Sequence, residues 1–197
     1  MNQLVLASSS RYRKLLLERL NLPFDCMAAE LDESRRKDEC AYNLAVRLAT
    51  NKARAIASHY PDAVIIGSDQ VAELQSQPGS DNNPVLGKPG NHQQAVAQLS
   101  AQSGRAVRFY TAIAVLNASQ IETAVDITEV RFRQLKLDEI ERYLQVDKPY
   151  DCAGSFKAES LGISLFESVD SSDPTALIGL PLIKLTQLLR KFAIAIP

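Results

Sequence analysis

Apolar residues along the chain alternate between short continuous runs and helical repeats. The run Leu4–Ala7 predicts a strand, and the leucine-rich segment 15–20 predicts a helix directly after it. Apolar residues at helical spacing predict a long helix over 41–59, and the run Ala63–Ile66 predicts a short buried strand. The N-terminal third of the chain therefore has a strand and helix order that is typical of α/β proteins.

The rest of the chain continues this mixture. The predicted elements are a strand over 22–27, an exposed loop over 75–86, a helix over 91–102, paired strands over 107–116 and 121–132, a helix over 137–146, a strand over 163–166 and a helix over 182–192. Their order has no regular period, so it favours an extended mixed β-sheet flanked by helices over a strictly parallel sheet. No internal repeat or linker divides residues 1–197, and a single domain is expected.

Composition and charge narrow the class of protein. With 46% apolar and 23% charged residues, the chain can bury a full core as one large domain or as two lobes around a cleft. The 22 basic and 23 acidic residues give a net charge of -1, which argues against a general nucleic-acid or anionic-membrane surface. No run of eighteen apolar residues occurs in the sequence, so a soluble cytoplasmic protein is expected. Any anion site must be local.

The cysteines and histidines form no recognisable cluster in the sequence. Cys26, Cys40 and Cys152 are odd in number and far apart, without a C-x-x-C pair, so neither a disulfide framework nor a zinc site is indicated. Buried reduced thiols are expected. His59 and His92 are isolated, and both are predicted to be surface residues.

Hydroxyl and cationic side chains are concentrated between the first predicted strand and helix. Ser8–Ser10 is followed by Arg11, Arg13 and Lys14 at the predicted helix start. Free backbone N–H groups and the helix dipole favour anions there, so the segment predicts a phosphate site. The alternative is a serine that caps the helix beside solvated cations. The segment lacks the Gly-Lys-Ser/Thr ending of a P-loop.

One lysine occupies an apolar helical row. Lys52 follows Leu44 and Leu48 and precedes Ile56, each four residues apart, so it lies on the core-facing side of the predicted helix. It either extends from the edge of this row to solvent or points into a cleft.

The acidic candidates are Asp69 and the pair Asp32 and Glu33. Asp69 follows the predicted strand Ala63–Ile66, and strand ends of α/β sheets hold ligand-binding groups. The alternative for Asp69 is an Asx turn that closes the strand. The alternative for Asp32 and Glu33 is ordinary surface charge.

Together these residues supply what a nucleoside triphosphate requires: cations for its phosphates, carboxylates for a divalent metal, and a base for water. The candidate phosphate ligands are Ser8, Arg13, Lys52 and Lys88, and the candidate metal ligands are Glu33 and Asp69. Mg²⁺ or Mn²⁺ is the expected cofactor because both ions favour oxygen ligands.

The chain resembles the Maf family of nucleoside triphosphate pyrophosphatases over nearly its whole length. The matching segments are Leu6–Ser10 with Arg13, Asp32–Glu33, Lys52, Ile66–Asp69, Gly87–Pro89, Ala153–Gly154 and Gly179–Pro181. The resemblance implies two lobes around a nucleotide-binding cleft, a homodimer, and hydrolysis between the α and β phosphates to nucleotide and pyrophosphate. It also implies that Asp69 is the catalytic proton acceptor.

Three positions separate two branches of this family. The branch for dTTP and UTP has Arg, Thr and Gln where this chain has Tyr12, Gln70 and Glu159, whereas the 7-methyl-GTP branch has an aromatic residue, Gln and Glu. This chain resembles the second branch. A methylated guanine is positively charged and stacks well on an aromatic ring, and Glu159 can accept its N1–H and N2–H groups. The chain departs from the usual Trp at position 12 and has a longer 75–86 loop.

Three alternatives stay open at this point. The first keeps the reaction but takes dTTP, UTP or another modified nucleotide as substrate. The second is a regulator of septum formation that binds nucleotide without hydrolysing it, although the intact set of Lys52, Asp69 and Lys88 argues for catalysis. The third, which uses no resemblance, is a phosphate-binding α/β protein of unspecified reaction.

Overall fold

The computed structural model describes residues 3–76 and 83–196. Its helices are α1 (Arg11–Glu18), α2 (Ala41–Ala55), α3 (His92–Gln102), α4 (Leu137–Asp147) and α5 (Leu182–Lys191), with 3₁₀ turns at Ala57–His59 and Leu161–Leu165. Its strands are β1 (Leu4–Leu6), β2 (Asp25–Cys26), β3 (Val64–Leu74), β4 (Val85–Leu86), β5 (Ala106–Asn117), β6 (Gln120–Phe132) and β7 (Phe166–Asp170). Across these two ranges, no helix has the length and apolar character needed to cross a membrane.

The strands form one mixed sheet. Its order is β2-β1-β3-β5-β6-β7, and β4 pairs with β3 outside this path, which gives seven strands within the described ranges. β1 runs parallel to both β2 and β3, with Val5 opposite Ile65 in the β3 register. β4 is antiparallel to β3, and β7 is antiparallel to β6. The predicted mixed sheet with helices is confirmed.

The chain divides into two compact units, each assembled from separate parts of the sequence. The first unit comprises the residues up to Gln70, Tyr110–Asp126 and the segment from Asp173 onwards. The second unit comprises Val71–Phe109 and Ile127–Ser172. Neither unit is one continuous stretch of sequence.

The core of the first unit forms where α1 and α5 pack against central strands. Fully buried members from these helices and from β1, β3 and β5 are Leu6, Leu17, Ile66, Ile113, Leu185 and Leu189. All three residues of β1 are buried, which explains its continuous apolar run, since strands covered on both faces do not alternate. This core supports the helix start where the serines and Arg13 lie.

Aromatic rings form the core of the second unit. Phe109, Phe132, Phe156 and Phe166 meet edge to face, with ring centroids 4.9 to 5.6 Å apart. Such edge-to-face pairs are favourable because the positive ring edge meets the negative ring face. The cluster ties β5, β6 and β7 to the segment around residue 156.

The predicted strand over 163–166 is wrong. Residues Leu161–Leu165 form a 3₁₀ turn, and the strand begins only at Phe166. The turn is closed locally, because the N–H of Ser160 donates to the carbonyl of Lys157 and a Cβ added at Gly162 would collide with the same carbonyl. An apolar run alone does not reveal such a contact.

Several element boundaries also differ from the predictions. The strand over 22–27 is reduced to Asp25–Cys26, and the helix over 41–59 ends at Ala55 before its 3₁₀ turn. The predicted loop over 75–86 contains the short strand β4, while its residues 77–82 lie outside the described residues.

The cysteines are free, as predicted, but two of them are not buried. Cys26 and Cys40 are exposed and Cys152 is half-buried. Burial raises the pKa of the Cys152 thiol to about 12, so this thiol is protonated at neutral pH. The expectation of buried thiols is wrong because Cys26 lies in the exposed strand β2 and Cys40 is the exposed N-cap of α2.

Candidate functional site

A buried lysine between two carboxylates is the centre of the candidate site, in the first unit. The Nζ atom of Lys52 on α2 lies 2.5 Å from Oδ1 of Asp69 on β3 and 2.7 Å from Oε1 of Glu33. Lys52 and Asp69 are only 8% and 7% exposed, whereas the Glu33 side chain is 54% exposed. Buried charges persist when they are paired. Lys52 therefore points inward, and the alternative of a solvent-directed lysine is wrong.

Asp69 lies inside β3 and not beyond its end, so the predicted strand end at residue 66 and the Asx-turn alternative are both wrong. The strand continues because its polar side chains find partners. Asp69 bonds Lys52, while its neighbours Ser68 and Gln70, whose side chains point to the opposite face of the sheet, bond backbone carbonyls. Local polarity had suggested a turn where tertiary partners stabilise a strand.

Gly67 brings β3 against α2. A Cβ at this position would collide with the carbonyl oxygen of Ala49 and lie 2.8 Å from the backbone nitrogen of Ala53. The two backbones are thus nearly in contact one residue from Lys52. This close approach allows the lysine to reach Asp69.

Arg13 extends from the first turn of α1 toward this centre. Its Nε donates to the carbonyl of Gly179 at 3.0 Å, and its Nη1 lies 3.5 Å from Oγ of Ser8. Burial lowers the pKa of Arg13, and the carboxylates of Asp69 and Glu33 act in the opposite direction. A guanidinium nevertheless stays protonated in proteins, so Arg13 supplies a fixed positive charge here.

The serine cap predicted as an alternative is also present. Ser10 is the N-cap of α1, and its Oγ accepts from the N–H of Arg13 at 3.4 Å. The buried Ser8 accepts from the N–H of Ser10 at 3.1 Å. The cap is therefore present as the alternative predicted, whereas Arg13 is turned inward instead of lying in solvent.

Glu33 belongs to an irregular segment that Arg47 of α2 holds in place. Arg47 donates to both carboxylate oxygens of Glu39, at 2.6 and 2.8 Å, and to the carbonyl of Ser34 at 2.9 Å. The hydrogen bonds from Arg47 lower the pKa of Glu39 to about 2. Sequence reasoning missed this pair, because a spacing of eight residues between a loop and a helix is not a recognisable motif.

Asp32 does not join the centre. Its carboxylate accepts from the N–H of Ser34 at 2.9 Å and so closes a local turn. Hydrogen bonding from Ser34 lowers the pKa of Asp32. Of the acidic pair, only Glu33 contacts Lys52.

The Glu39–Arg47 pair makes stability depend on pH. Because the folded-state pKa of Glu39 lies below its ordinary 4.5, its contribution is complete above about pH 4.5 and is lost as the pH falls toward about 2. We expect Glu39→Gln to reduce the free energy of unfolding at pH 7 and to differ less from the wild type at pH 3, as measured by urea unfolding. Glu30→Gln, an exposed change in the same segment, is the control. If the variant and the wild type differed in the free energy of unfolding by the same amount at both pH values, this assignment would be contradicted.

Two of the predicted specificity residues lie in the first unit. The guanidinium of Arg11 lies 4.8 Å from the ring centroid of Tyr12 and donates to its hydroxyl at 2.9 Å. The side-chain nitrogen of Gln70 lies 3.0 to 3.1 Å from Thr111 Oγ1 and the carbonyls of Ala176 and Leu177. An amide group has two N–H donors, so this side chain has only its oxygen left for a ligand.

Lys88 and Glu159 lie in the second unit, and both are exposed. Lys88 follows Gly87, whose carbonyl accepts from Gln98 of α3 at 3.1 Å. Glu159 follows a tight turn at Gly154, which has φ +78°. In the first unit, Lys52 contacts Glu33 and Asp69, and Arg13 contacts Ser8, whereas Lys88 and Glu159 belong to the second unit.

The carboxylates Glu33 and Asp69 are suitable for a divalent cation. Over 3–76 and 83–196, no group of three or more His, Cys, Asp and Glu side chains is arranged to hold a metal. Mg²⁺ commonly binds proteins through one or two carboxylates and completes its shell with water and substrate phosphates. Two carboxylates beside a cationic cluster therefore match a metal that binds together with its phosphate ligand.

The fold is a mixed α/β sheet, and a lysine, an arginine and two carboxylates lie around one of its strands. These are the groups that a protein needs for phosphate chemistry. The chain belongs to the Maf family, because the Maf-like protein family matches residues 3–192. The "7-methyl-GTP pyrophosphatase" of Pseudomonas savastanoi pv. phaseolicola is 52% identical over 199 residues, and that of Xanthomonas axonopodis pv. citri is 51% identical over 197. Each alignment covers 100% of both chains. The predicted family is confirmed.

The fold is also similar to that of a solved structure, the Ham1 protein of Staphylococcus aureus. The TM-score is 0.51 with 13% identity, and the match covers 98% of this chain and 100% of the other. At this identity the likeness concerns the fold alone. It agrees with the extended mixed sheet predicted from the order of elements.

Proposed function

We propose that this protein is a nucleoside triphosphate pyrophosphatase that hydrolyses the α–β phosphate bond of 7-methyl-GTP, giving 7-methyl-GMP and pyrophosphate. The main structural support for the proposal is the buried Lys52 ammonium, which lies between Asp69 and Glu33. The names of relatives about 50% identical over the full length support this substrate. The proposed role is the removal of modified nucleotides in the cytoplasm, and a homodimer is proposed by analogy with the family.

Asp69 is the proton acceptor in this proposal. Lys52 holds Oδ1 of the carboxylate at 2.5 Å, which fixes the orientation of the group. The other oxygen, Oδ2, accepts a proton from the water that attacks the α phosphorus, or orients that water. The rigid strand β3 on which Asp69 lies keeps this oxygen in place.

The phosphates bind to the cations and to Ser8. Because Nε of Arg13 is bonded to Gly179, the two Nη groups are the ones that face a phosphate, as guanidinium forks do in bidentate contacts. Lys52 and Lys88 add positive charge along the phosphate chain. Glu33 and Asp69 would hold Mg²⁺ or Mn²⁺, which when bound would neutralise charge on the phosphates.

The base is read by Tyr12, Gln70 and Glu159. Arg11 covers one face of the Tyr12 ring, so the positively charged 7-methylguanine is assigned to the other face. Gln70 offers its side-chain oxygen, and the exposed Glu159 accepts the N1–H and N2–H groups of the base. A pyrimidine lacks this pair of donors and leaves the carboxylate poorly bonded.

A substrate panel tests the proposal. Pyrophosphate release is measured with Mg²⁺ or Mn²⁺ for 7-methyl-GTP, GTP, dTTP, UTP and CTP. We expect 7-methyl-GTP to be preferred and Glu159→Gln to lower its kcat/KM by about tenfold or more, because a lost hydrogen bond to a charged group costs roughly 1–3 kcal/mol. Glu167→Gln, another exposed glutamate of the second unit, should change nothing.

The other outcomes separate the alternatives. Preference for dTTP or UTP would contradict the assigned base contacts but keep the reaction. No release from any of the nucleotides would contradict the enzyme assignment and favour a nucleotide-binding regulator of septum formation.

A further inference from the structure

The segment between β7 and α5 contains an internally bonded turn, residues Asp173–Gly179, which we call the carbonyl turn. Asp173 is 1% exposed and Thr175 is 6% exposed. Oδ1 of Asp173 accepts from the N–H of Thr175 at 3.0 Å, and Oδ2 accepts from the N–H of Ile183 at 2.6 Å. Two buried side chains therefore connect the turn to the first residues of α5, where N–H groups lack helical partners.

Thr175 is the central residue of these contacts. Its Oγ1 accepts from the N–H of Leu182 at 2.9 Å. The same oxygen lies 2.6 Å from Oδ1 of Asp173 and 2.8 Å from the carbonyl of Leu180, either of which can take its proton. The hydroxyl thus joins the beginning and the end of the turn to the helix start.

Three carbonyl groups of the carbonyl turn accept hydrogen bonds from side chains of β3 and α1. Those of Ala176 and Leu177 accept from Gln70, which follows Asp69 in β3. That of Gly179 accepts from Arg13 Nε at 3.0 Å and from Ser68 Oγ, which precedes Asp69, at 3.2 Å. One turn therefore bonds Ser68 and Gln70, which precede and follow the proposed proton acceptor in the strand. The same turn also bonds the guanidinium of Arg13, which is proposed to bind phosphate.

We propose that the carbonyl turn positions Arg13 and Asp69 for reaction and that Thr175 is a positioning residue that keeps the turn in shape. The inference rests on the proposed function, because it assigns phosphate binding to Arg13. With Nε bonded to Gly179, the guanidinium plane has a fixed direction, and a displacement of about 1 Å in a reacting group can cost about a hundredfold in rate. If the turn served only to cap α5, its carbonyl groups would not need to accept hydrogen bonds from Arg13, Ser68 and Gln70.

The test compares Thr175→Val, which removes the hydroxyl at constant shape, with Thr175→Ser, which retains it. The readouts are Tm, kcat and KM for 7-methyl-GTP, and the Kd of inorganic pyrophosphate with Mg²⁺ by calorimetry. We expect Thr175→Val to weaken pyrophosphate binding about tenfold and to lower kcat/KM by at least as much. Thr175→Ser should stay within about twofold of the wild type. Leu188→Val, a core change on the same helix, should lower Tm with the Kd unchanged.

Several outcomes would overturn the inference. A Thr175→Val protein with lower Tm but unchanged Kd, kcat and KM has lost only stability, which would show that Thr175 is purely structural. Equal loss in the serine and valine variants would show that the hydroxyl is not what matters. If the wild type fails to bind pyrophosphate, Arg13 is not at an anion site and the inference fails. If no nucleotide is hydrolysed but Thr175→Val still weakens pyrophosphate binding, the proposed function fails and the positioning role stands.

Discussion

Replacing Asp69 with asparagine is expected to reduce pyrophosphate release by at least about a hundredfold while the protein stays folded. Asparagine has nearly the same shape and keeps an oxygen that can accept from Lys52, but it cannot take a proton from water. Glu33 remains as a charged partner for the lysine. Stability should therefore fall by only about 1–3 kcal/mol. Steady-state release of pyrophosphate and thermal unfolding measure the two effects.

A matched control distinguishes chemistry from destabilisation. Asp126 is also fully buried in the first unit and faces a lysine, with Nζ of Lys184 3.6 Å away. Asp126→Asn is expected to lower Tm in a similar way and to retain turnover. If Asp69→Asn keeps more than about a third of the wild-type rate, the assignment of the proton acceptor is wrong.

Gly67→Ala is expected to be the most destabilising of these substitutions, at about 3 kcal/mol or more. The added methyl group collides with the carbonyl of Ala49 and lies close to the backbone nitrogen of Ala53, so relief requires α2 to move away from β3. Backbone atoms of a packed helix cannot rotate aside as a side chain can. The same displacement separates Lys52 from Asp69, so residual folded protein should also lose activity.

The comparison glycine for this experiment is Gly87. A Cβ at Gly87 meets nothing within 4 Å, and Gly87→Ala should change the free energy of unfolding by no more than about 0.5 kcal/mol. Urea unfolding of both variants measures the difference. A Gly67→Ala protein as stable as the wild type would show that β3 and α2 are not in backbone contact.

Several elements could be predicted from local pattern because each depends on residues close in sequence. The helix over 91–102 was predicted within one residue of α3, and the two long alternating segments became β5 and β6. Period and flanking glycine suffice for such elements. The strand predicted over 163–166 is wrong because the backbone turns tightly against Lys157 at Gly162, which an apolar run does not indicate.

In the candidate site, too, some features could be predicted from the local sequence and others could not. The types of residue needed for phosphate chemistry could be read from the sequence, and the helical row of Lys52 indicated that it faces inward. The position of Asp69 inside β3 could not be read, because Gly-Ser-Asp-Gln is locally typical of a turn. The pairing of β3 with β5 and the hydrogen bonds of Ser68 and Gln70 to the carbonyl turn hold this segment extended.

By itself, then, the sequence determined the class of fold, the family and a set of candidate residues for phosphate and metal binding, since these follow from periodicity and from motifs in chain order. The tertiary structure alone decided which carboxylate meets Lys52, that Arg47 holds the Glu33 segment, and that the carbonyl turn bonds Arg13. Each of these contacts joins residues on different elements, and packing rather than local preference determines their distance.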